Sequence, residues 1–331
     1  MIISGDPLLP SLDDAADLDE AAERRDFEIT KALHDQRLDL ALTSLVPEFS
    51  RSYLQQLIAA GFVTVDGKTA KKPSARVKLG SRGCVELRPT PQSQAFRPEP
   101  MDLPIIFEDG HLLVIDKPAG LVVHPAPGHW SGTLLNGLLA HHASAIALPR
   151  AGIVHRLDKN TSGLMVIARS RPVMDALVRM IAGRDVSRQY LAVTDRPWPG
   201  PRLRDIDAPI GRDPRNRLRM AVVDTHQHPG KLARTTVELL QSSASGSLVK
   251  CTLHTGRTHQ IRVHLASIGC PLVDDDLYGG TALHRGGRQA LHATRLAFTH
   301  PATQQALSFQ APLPTDLAGM LAQLGLRYNE V

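Results

Sequence analysis

Apolar residues along this chain switch between a helical and an alternating period, and the switches mark out its elements. Leu38, Leu42, Leu45 and Val46 fall at helical spacing, Pro47 closes that run, and Ser50 is placed to cap a second helix carrying Leu54, Leu57 and Ile58 on one face. Gly61 suits the left-handed position that ends such a helix. Phe62–Val65 with the Asp66-Gly67 turn predicts a hairpin, and so does Ile105–Glu108 with Asp109-Gly110 and Leu112–Asp116. Two apolar runs, Gly152–Val154 and Leu164–Ala168, predict strands with a polar loop, His155 to Gly163, held between them. Further on, Val173–Ala182 predicts a helix ending near Gly183, and Arg188–Val193, Ala233–Leu240 and Leu248–Leu253 predict strands. A strand gives way to a helix within Thr255–His264, with Ile261, Leu265 and Ile268 on its buried face and Arg262 at the boundary. Leu291–Phe298 and Ala306–Phe309 predict final strands and Leu313–Leu326 a closing helix, whereas residues 202–231, rich in Arg, Pro and Gly, predict a mobile basic loop.

Composition narrows the class. The 331 residues leave room for about two domains, and an apolar content of 42% is that of an ordinary globular chain. No apolar run approaches the roughly 20 residues of a membrane span and no secretory signal opens the chain, so a cytoplasmic protein without membrane partners is expected. Cys84, Cys251 and Cys270 are odd in number and widely spaced, and the histidines lack metal-binding spacing, so neither disulfides nor a metal is expected. No phosphate loop, nucleophile elbow or dinucleotide fingerprint is present, and the chemistry is expected to run without a cofactor.

Charge is uneven. The net +5 conceals nine acids against two arginines in the first 30 residues, a net of −7 that leaves +12 on the remainder. A body so basic suits a polyanionic partner, most simply nucleic acid. Residues 1–35, acidic and poor in aromatics, are expected to form a disordered tail. Pro89, Pro91, Pro98, Pro100 and Pro104 mark residues 89–104 as a semi-rigid linker. Between and beyond these lie a small domain, 36–88, and a larger one, 105–331.

The polar block after Val154 sets two cations, His155 and Arg156, beside one carboxylate, Asp158, and then turns through Thr161, Ser162 and Gly163. From His155 to Leu164 it resembles the active-site motif of the RluA family of pseudouridine synthases. Asp116–Gly120 with Val123-His124-Pro125, Arg188–Ala192 and Thr255–His264 resemble further segments of that family, and Asp274–Gly280 resembles another, with Asp274 where glycine is usual. Arg37-Leu38-Asp39, Ser50-Arg51, Gly61–Lys68 and Lys72-Pro73-Ser74 resemble the small RNA-binding domain named after ribosomal protein S-four.

The resemblance implies an α+β chain: a catalytic domain on a mostly antiparallel mixed sheet flanked by helices, preceded by a small α/β RNA-binding domain. It implies an isomerase that detaches uracil from its ribose, turns it and rejoins it through carbon 5. That reaction needs a carboxylate beside the anomeric carbon and an exit for the carbon 5 proton. Asp158 would be the carboxylate, Arg262 the cation that keeps it charged, and Tyr190 the ring stacked on the base. Arg156, His155 and Arg257 would serve base extrusion and RNA contact, while Arg51, Lys68, Lys71 and Lys72 would hold phosphates without reading bases. Lys117 is a further candidate for a substrate phosphate, and Arg212, Arg215, Arg217 and Arg219 for gripping RNA.

Within the family, Leu121–Pro125 and Arg150–Asp158 look most like its D-type branch, which acts on 23S ribosomal RNA in the helix-sixty-nine stem-loop. The substrate would then be that RNA, free or within large-subunit particles, and the enzyme a monomer. Alternatives are a synthase acting elsewhere on rRNA or on tRNA, a non-catalytic RNA-binding or ribosome-assembly factor, and a glycosidase-like hydrolase. The last needs a second carboxylate for which the sequence offers no good candidate.

Overall fold

In the computed structural model the described residues are 23–87, 95–126, 129–283 and 287–328, and they form two compact units divided after residue 94. The first unit comprises β1 (Glu23–Glu28), α1 (Leu38–Leu45), α2 (Arg51–Ala60), β2 (Val63–Val65), β3 (Lys68–Thr69) and β4 (Arg82–Leu87), its strands ordered β1-β4-β2-β3. Ser50 Oγ accepts the Tyr53 N–H at the start of α2, and Gly61 ends that helix at φ 85°, as the spacing predicts. Leu38, Leu42, Leu54, Leu57 and Ile58 close a core with Val63, Val77 and Val85.

The disordered acidic tail expected over residues 1–35 does not hold for its second part. Residues 1–22 lie outside the described residues, but Glu23–Glu28 form an edge strand paired antiparallel with β4, from Glu23 opposite Leu87 to Glu28 opposite Arg82. Acids and arginines alternate there, so the segment carries no hydrophobic period. Ladder hydrogen bonds hold it, with Phe27 and Ile29 anchoring it to the core.

The second unit contains β5 (Ile105–Glu108), β6 (Leu112–Lys117), α3 (Leu134–His141), β7 (Ser162–Ala168), α4 (Arg171–Gly183), β8 (Ser187–Thr194) and β9 (Leu203–Asp207). Then come β10 (Ile210–Arg212), β11 (Met220–Val222), β12 (Gly230–Lys231), β13 (Arg234–Ser242), β14 (Ser247–Leu253), α5 (Gln260–Ser267), β15 (Leu291–Thr299), β16 (Ala306–Gln310) and α6 (Thr315–Gln323). Its main sheet runs β5-β6-β7-β15-β8-β14-β13-β9, with β16 added on β15, and every pairing is antiparallel except β7 with β15. Alternation sorts the side chains. Leu113, Ile115, Met165, Ile167, Tyr190 and Val249 pack with α3 and α5, whereas Leu112, Val114, Leu164 and Val166 pack with α4, and Leu191 and Leu248 with α6. All seven residues of β7 are buried, so this strand is covered on both faces.

Three expectations change in this unit. The run before the central motif is not a strand: Pro149–Gly152 make a 3-10 turn in which Arg150 and Ala151 are left-handed (φ 54° and 53°), and Ile153 forms a single bridge to Ile167. Residues 203–231 are not a mobile loop but carry β9 on the sheet edge and the three-stranded sheet β11-β10-β12. Those strands bury few residues, Ile206 and Ile210 chief among them, so they leave no readable period. Finally, residues 95–104 of the expected linker belong to the second unit: Ala95 and Leu103 are buried, and Asn136 of α3 donates to the Ala95 and Arg97 carbonyls. Prolines exclude helix and ladder from that stretch, but not a strap held by side chains.

Candidate active site

Loop 155–161 leads into β7 and carries Asp158 to the rim of a cleft of about 590 Å³. His155, Arg156, Asp158, Tyr190, Arg257 and Arg262 all line it, so residues more than a hundred positions apart converge as the motifs imply. Among the described lining residues Asp158 is the only carboxylate, and Arg184 and Arg188 add to the positive charge around it.

Arg262 projects from the first turn of α5 and donates from Nη1 to Asp158 Oδ2 at 3.0 Å. Its other edge grips Asp275 through Nε and Nη2, both at 2.8 Å, and the Tyr278 ring lies 4.9 Å from its guanidinium carbon. Burial pulls the Arg262 pKa down, but the Asp275 and then the Asp158 interactions outweigh it, and the guanidinium is held charged above its usual value. Asp158 Oδ1 lies 3.9 Å from His259 Nε2, too far for a hydrogen bond, and stays free toward the cleft. His259 Nδ1 is 2.8 Å from the Tyr278 hydroxyl, which accepts the Met220 N–H at 3.1 Å. His259 Nε2 is the ring nitrogen that faces Asp158.

The loop is pinned from three directions. His155 Nε2 accepts the Val166 N–H at 3.1 Å, closing an edge that β15, paired with β7 only at Ser162 and Gly163, leaves open. Arg288 donates to the Asn160 carbonyl and the Ser162 hydroxyl, each at 3.1 Å. Lys117 Nζ donates to the Pro118, Leu121 and Lys159 carbonyls at 2.8, 2.9 and 3.1 Å. Lys117 is thus wholly buried and bound to backbone, which overturns the expectation that it reaches a substrate phosphate. Gly163, at φ 114°, is where β7 meets β15 most closely: a Cβ there would overlap the Ala293 backbone.

Burial, reinforced by Arg188, drives the His155 pKa down to about 3, so the ring is neutral and braces the loop. Burial also pushes the Tyr190 hydroxyl up to about 12, which keeps it a phenol. Sequence reasoning missed Asp275, Tyr278, His259 and Gln260. The signal for Asp275 was available, because a buried arginine beside one carboxylate leaves donors that need a second acceptor. Gln260 ties α5 to β13 by donating to the Arg234 carbonyl and Thr235 Oγ1 at 3.0 and 2.9 Å. In the first unit Lys68, Lys71 and Lys72 are exposed, while Arg51 spends its fork on buried Asp39 and leaves about half its side chain in solvent. Of the arginines in 212–219, Arg219 pairs with Asp213 at 2.6 Å.

The sequence profile of the RNA pseudouridylate synthases matches residues 111–267, and that of the S4 domain matches 36–82. Ribosomal large subunit pseudouridine synthase D of Neisseria meningitidis serogroup B is 45% identical over 326 residues, spanning 95% of this chain and 85% of that one. The chain belongs to the RNA pseudouridylate synthase family. This synthase is therefore an isomerase of RNA uridine with an RNA-binding S4 domain. The synthase of the same name from Nitrosomonas europaea is 47% identical, covering 86% of this chain and 83% of that one. The uncharacterized RNA pseudouridine synthase YlyB of Bacillus subtilis is 41% identical over 90% of this chain and 97% of its own. Among solved structures, human RNA pseudouridylate synthase domain containing 4 superposes with a TM-score of 0.53 at 26% identity, over 68% of this chain and 94% of that one. The expected fold class, mixed sheet plus S4 domain, is borne out.

Two tests of the synthase follow from this geometry. Asp275→Asn removes one charged grip on Arg262, and kcat is expected to fall about tenfold to a hundredfold, or 1.4 to 2.7 kcal/mol of barrier, with RNA affinity unchanged; an unchanged kcat would show that the Asp275 grip is dispensable. For pH, burial holds His124, His155 and His292 neutral with pKa values of about 4, 3 and 4 against a free value of 6.5. As pH falls below 6.5 the unfolded chain takes up protons that the folded one refuses, so thermal stability drops toward pH 4 and is level, for these groups, above 6.5. Melting followed by circular dichroism measures this, and His155→Gln shallows the slope.

Proposed function

We propose that this synthase converts uridines of large-subunit ribosomal RNA to pseudouridine, in the helix-sixty-nine stem-loop, with Asp158 as its catalytic carboxylate. One observation carries the catalytic assignment: Asp158 is the sole carboxylate among the described lining residues of an arginine-rich cleft, with one oxygen fixed by Arg262 at 3.0 Å and the other free. The names of the Neisseria and Nitrosomonas relatives carry the choice of RNA. A monomer working in the cytoplasm, on free rRNA or assembling particles, is part of the same reading.

In this mechanism Oδ1 of Asp158 attacks the sugar or removes a proton from it, while Arg262 holds the carboxylate oriented. Tyr190, kept a phenol by burial, stacks on the loosened uracil and offers a hydrogen bond, and does not stand ready as a base. Once uracil has rejoined through carbon 5, Asp158 is free again and is the only carboxylate placed to take that carbon's proton. Arg156, exposed at the mouth, fills the gap the base leaves, and Arg257 lies against the strand. Lys68, Lys71, Lys72 and the exposed part of Arg51 hold phosphates of the flanking RNA. A glycosidase-like hydrolase would need a second carboxylate across the cleft, and none lines it among the described residues.

The experiment uses unmodified large-subunit rRNA or particles carrying uridine tritiated at carbon 5. Wild type is expected to release tritium and Asp158→Asn to release none while binding RNA as tightly; release by the variant would refute the assignment. Lys71→Ala with Lys72→Ala is expected to weaken binding and to flatten the slope of log affinity against log salt by about 0.7–0.9 for each phosphate the variant no longer neutralises. An unaltered slope would remove the S4 domain lysines from the RNA interface.

A further inference from the structure

A second cavity, of about 430 Å³, adjoins the cleft and is lined by Phe96, His124, Trp130, Leu135, Arg150 and Arg156. The two share Val154, His155 and Arg156, so the motif segment that brings Asp158 to one side forms a wall of the other. None of the family chemistry described above uses Phe96, Trp130 or Arg150.

Its lining is specific in character. The chain has only two tryptophans and seven phenylalanines, and this cavity takes one of each. Phe96 is 69% exposed, the only aromatic ring among the exposed large hydrophobics of the described residues. Arg150 and Arg156 are both exposed at the same cavity, which combines flat apolar surface with two cations. Backbone strain is spent here as well. Arg150 and Ala151 are left-handed, and Gly152 continues the turn at φ 80°, locked so close to the Ala168 carbonyl that a Cβ would overlap it. Arg150 does not line the Asp158 cleft, so this strained turn presents it to the second cavity. Burial, with the charges of Arg150 and Arg156, keeps His124 neutral, and a neutral imidazole can both donate to and accept from the edge of a base.

Aromatic faces flanked by guanidinium groups suit an unstacked nucleotide, whose base needs a flat apolar partner and whose phosphate needs a cation. Extruding the target uridine exposes the neighbouring base on the same strand. We propose that this cavity receives that neighbour, its base against Phe96 and Trp130 and its own phosphate on Arg150. The inference rests on the Asp158 cleft as the uridine site; it adds a second base pocket that contributes affinity and selects the sequence or looseness of the flanking position.

The test is a cycle on a stem-loop RNA with its target uridine tritiated at carbon 5, intact or with an abasic residue on either side of the target. Phe96→Ala is the first variant, because the exposed ring can be removed without opening the core, and Arg150→Ala is the second. With wild type, loss of the base on one side is expected to lower kcat/KM about tenfold, within the range for one base stacked on an aromatic ring. On Phe96→Ala the same abasic change is expected to have little further effect, since the pocket is already disabled. Additive losses, or equal indifference to both abasic positions in wild type, overturn the second pocket while tritium release from intact RNA leaves the Asp158 reading standing. No release from intact RNA by wild type sinks the substrate reading, and the second pocket with it.

Discussion

A carboxylate that must stay charged while largely withdrawn from water needs a cation that cannot leave, and this site is arranged around that constraint. Asp158 exposes 17% of its side chain, and the guanidinium beside it exposes 8%. Buried that deeply, Arg262 would itself be costly with a single partner, and Asp275 with the Tyr278 ring completes its shell. The three charged groups carry one net negative charge. It faces a cleft whose other charged groups among the described lining residues are arginines, so the field around Asp158 favours an anionic strand and a charged carboxylate together.

Position matters as much as charge, because a displacement of about 1 Å at a reacting group can cost a hundredfold in rate. Loop 155–161 obtains its precision from outside itself. Lys117 gathers carbonyls from two segments onto three N–H donors, Arg288 reaches in from the opposite side, and His155 fastens the start of the loop to β7. The strand to which the loop is fastened is buried along its whole length. A buried strand and a loop pinned by these side chains together hold the carboxylate without demanding any rigidity of Asp158's own short side chain.

The helices and most strands were legible because their apolar residues are periodic, as with Leu54, Leu57 and Ile58 of α2 or the alternation of β8. Glu23–Glu28 and residues 203–231 were not, since ladder hydrogen bonds rather than burial hold them and polar edge strands look like loops. The Gly152–Val154 run misled for the converse reason: Ala151 and Ile153 are buried, but in a left-handed turn rather than a ladder. At the site, Asp158, Tyr190 and Arg262 were visible because each lies in a recognisable segment, and the structure brings them to one cleft. Gln260 was hidden because its role is to satisfy other residues' donors and acceptors, a requirement that exists only once the chain has folded. Lys117 was misjudged because a lysine in a Pro-Gly loop suggests solvent, whereas here the turn curls its carbonyls around the ammonium.

This arrangement separates recognition from chemistry by depth. Lys68, Lys71 and Lys72 are exposed cations on a small domain, and in the proposed reading their interactions weaken with salt and tolerate exchange because they meet phosphate charge rather than a particular atom. Arg262, Asp275 and Lys117 are buried, are screened little, and tolerate no exchange, because each is matched donor for acceptor. Arg156 and Arg257 lie between these extremes, exposed or half-buried at the cleft, and in the proposed reading a flexible cation there follows the strand as a base leaves its stack. Selectivity for one uridine among many identical bases cannot come from the uracil itself, which is the same everywhere. It has to come from the RNA around it, through how the phosphates are spaced and how readily neighbouring bases unstack, and in the proposed reading those are the features that the intermediate layer of side chains senses.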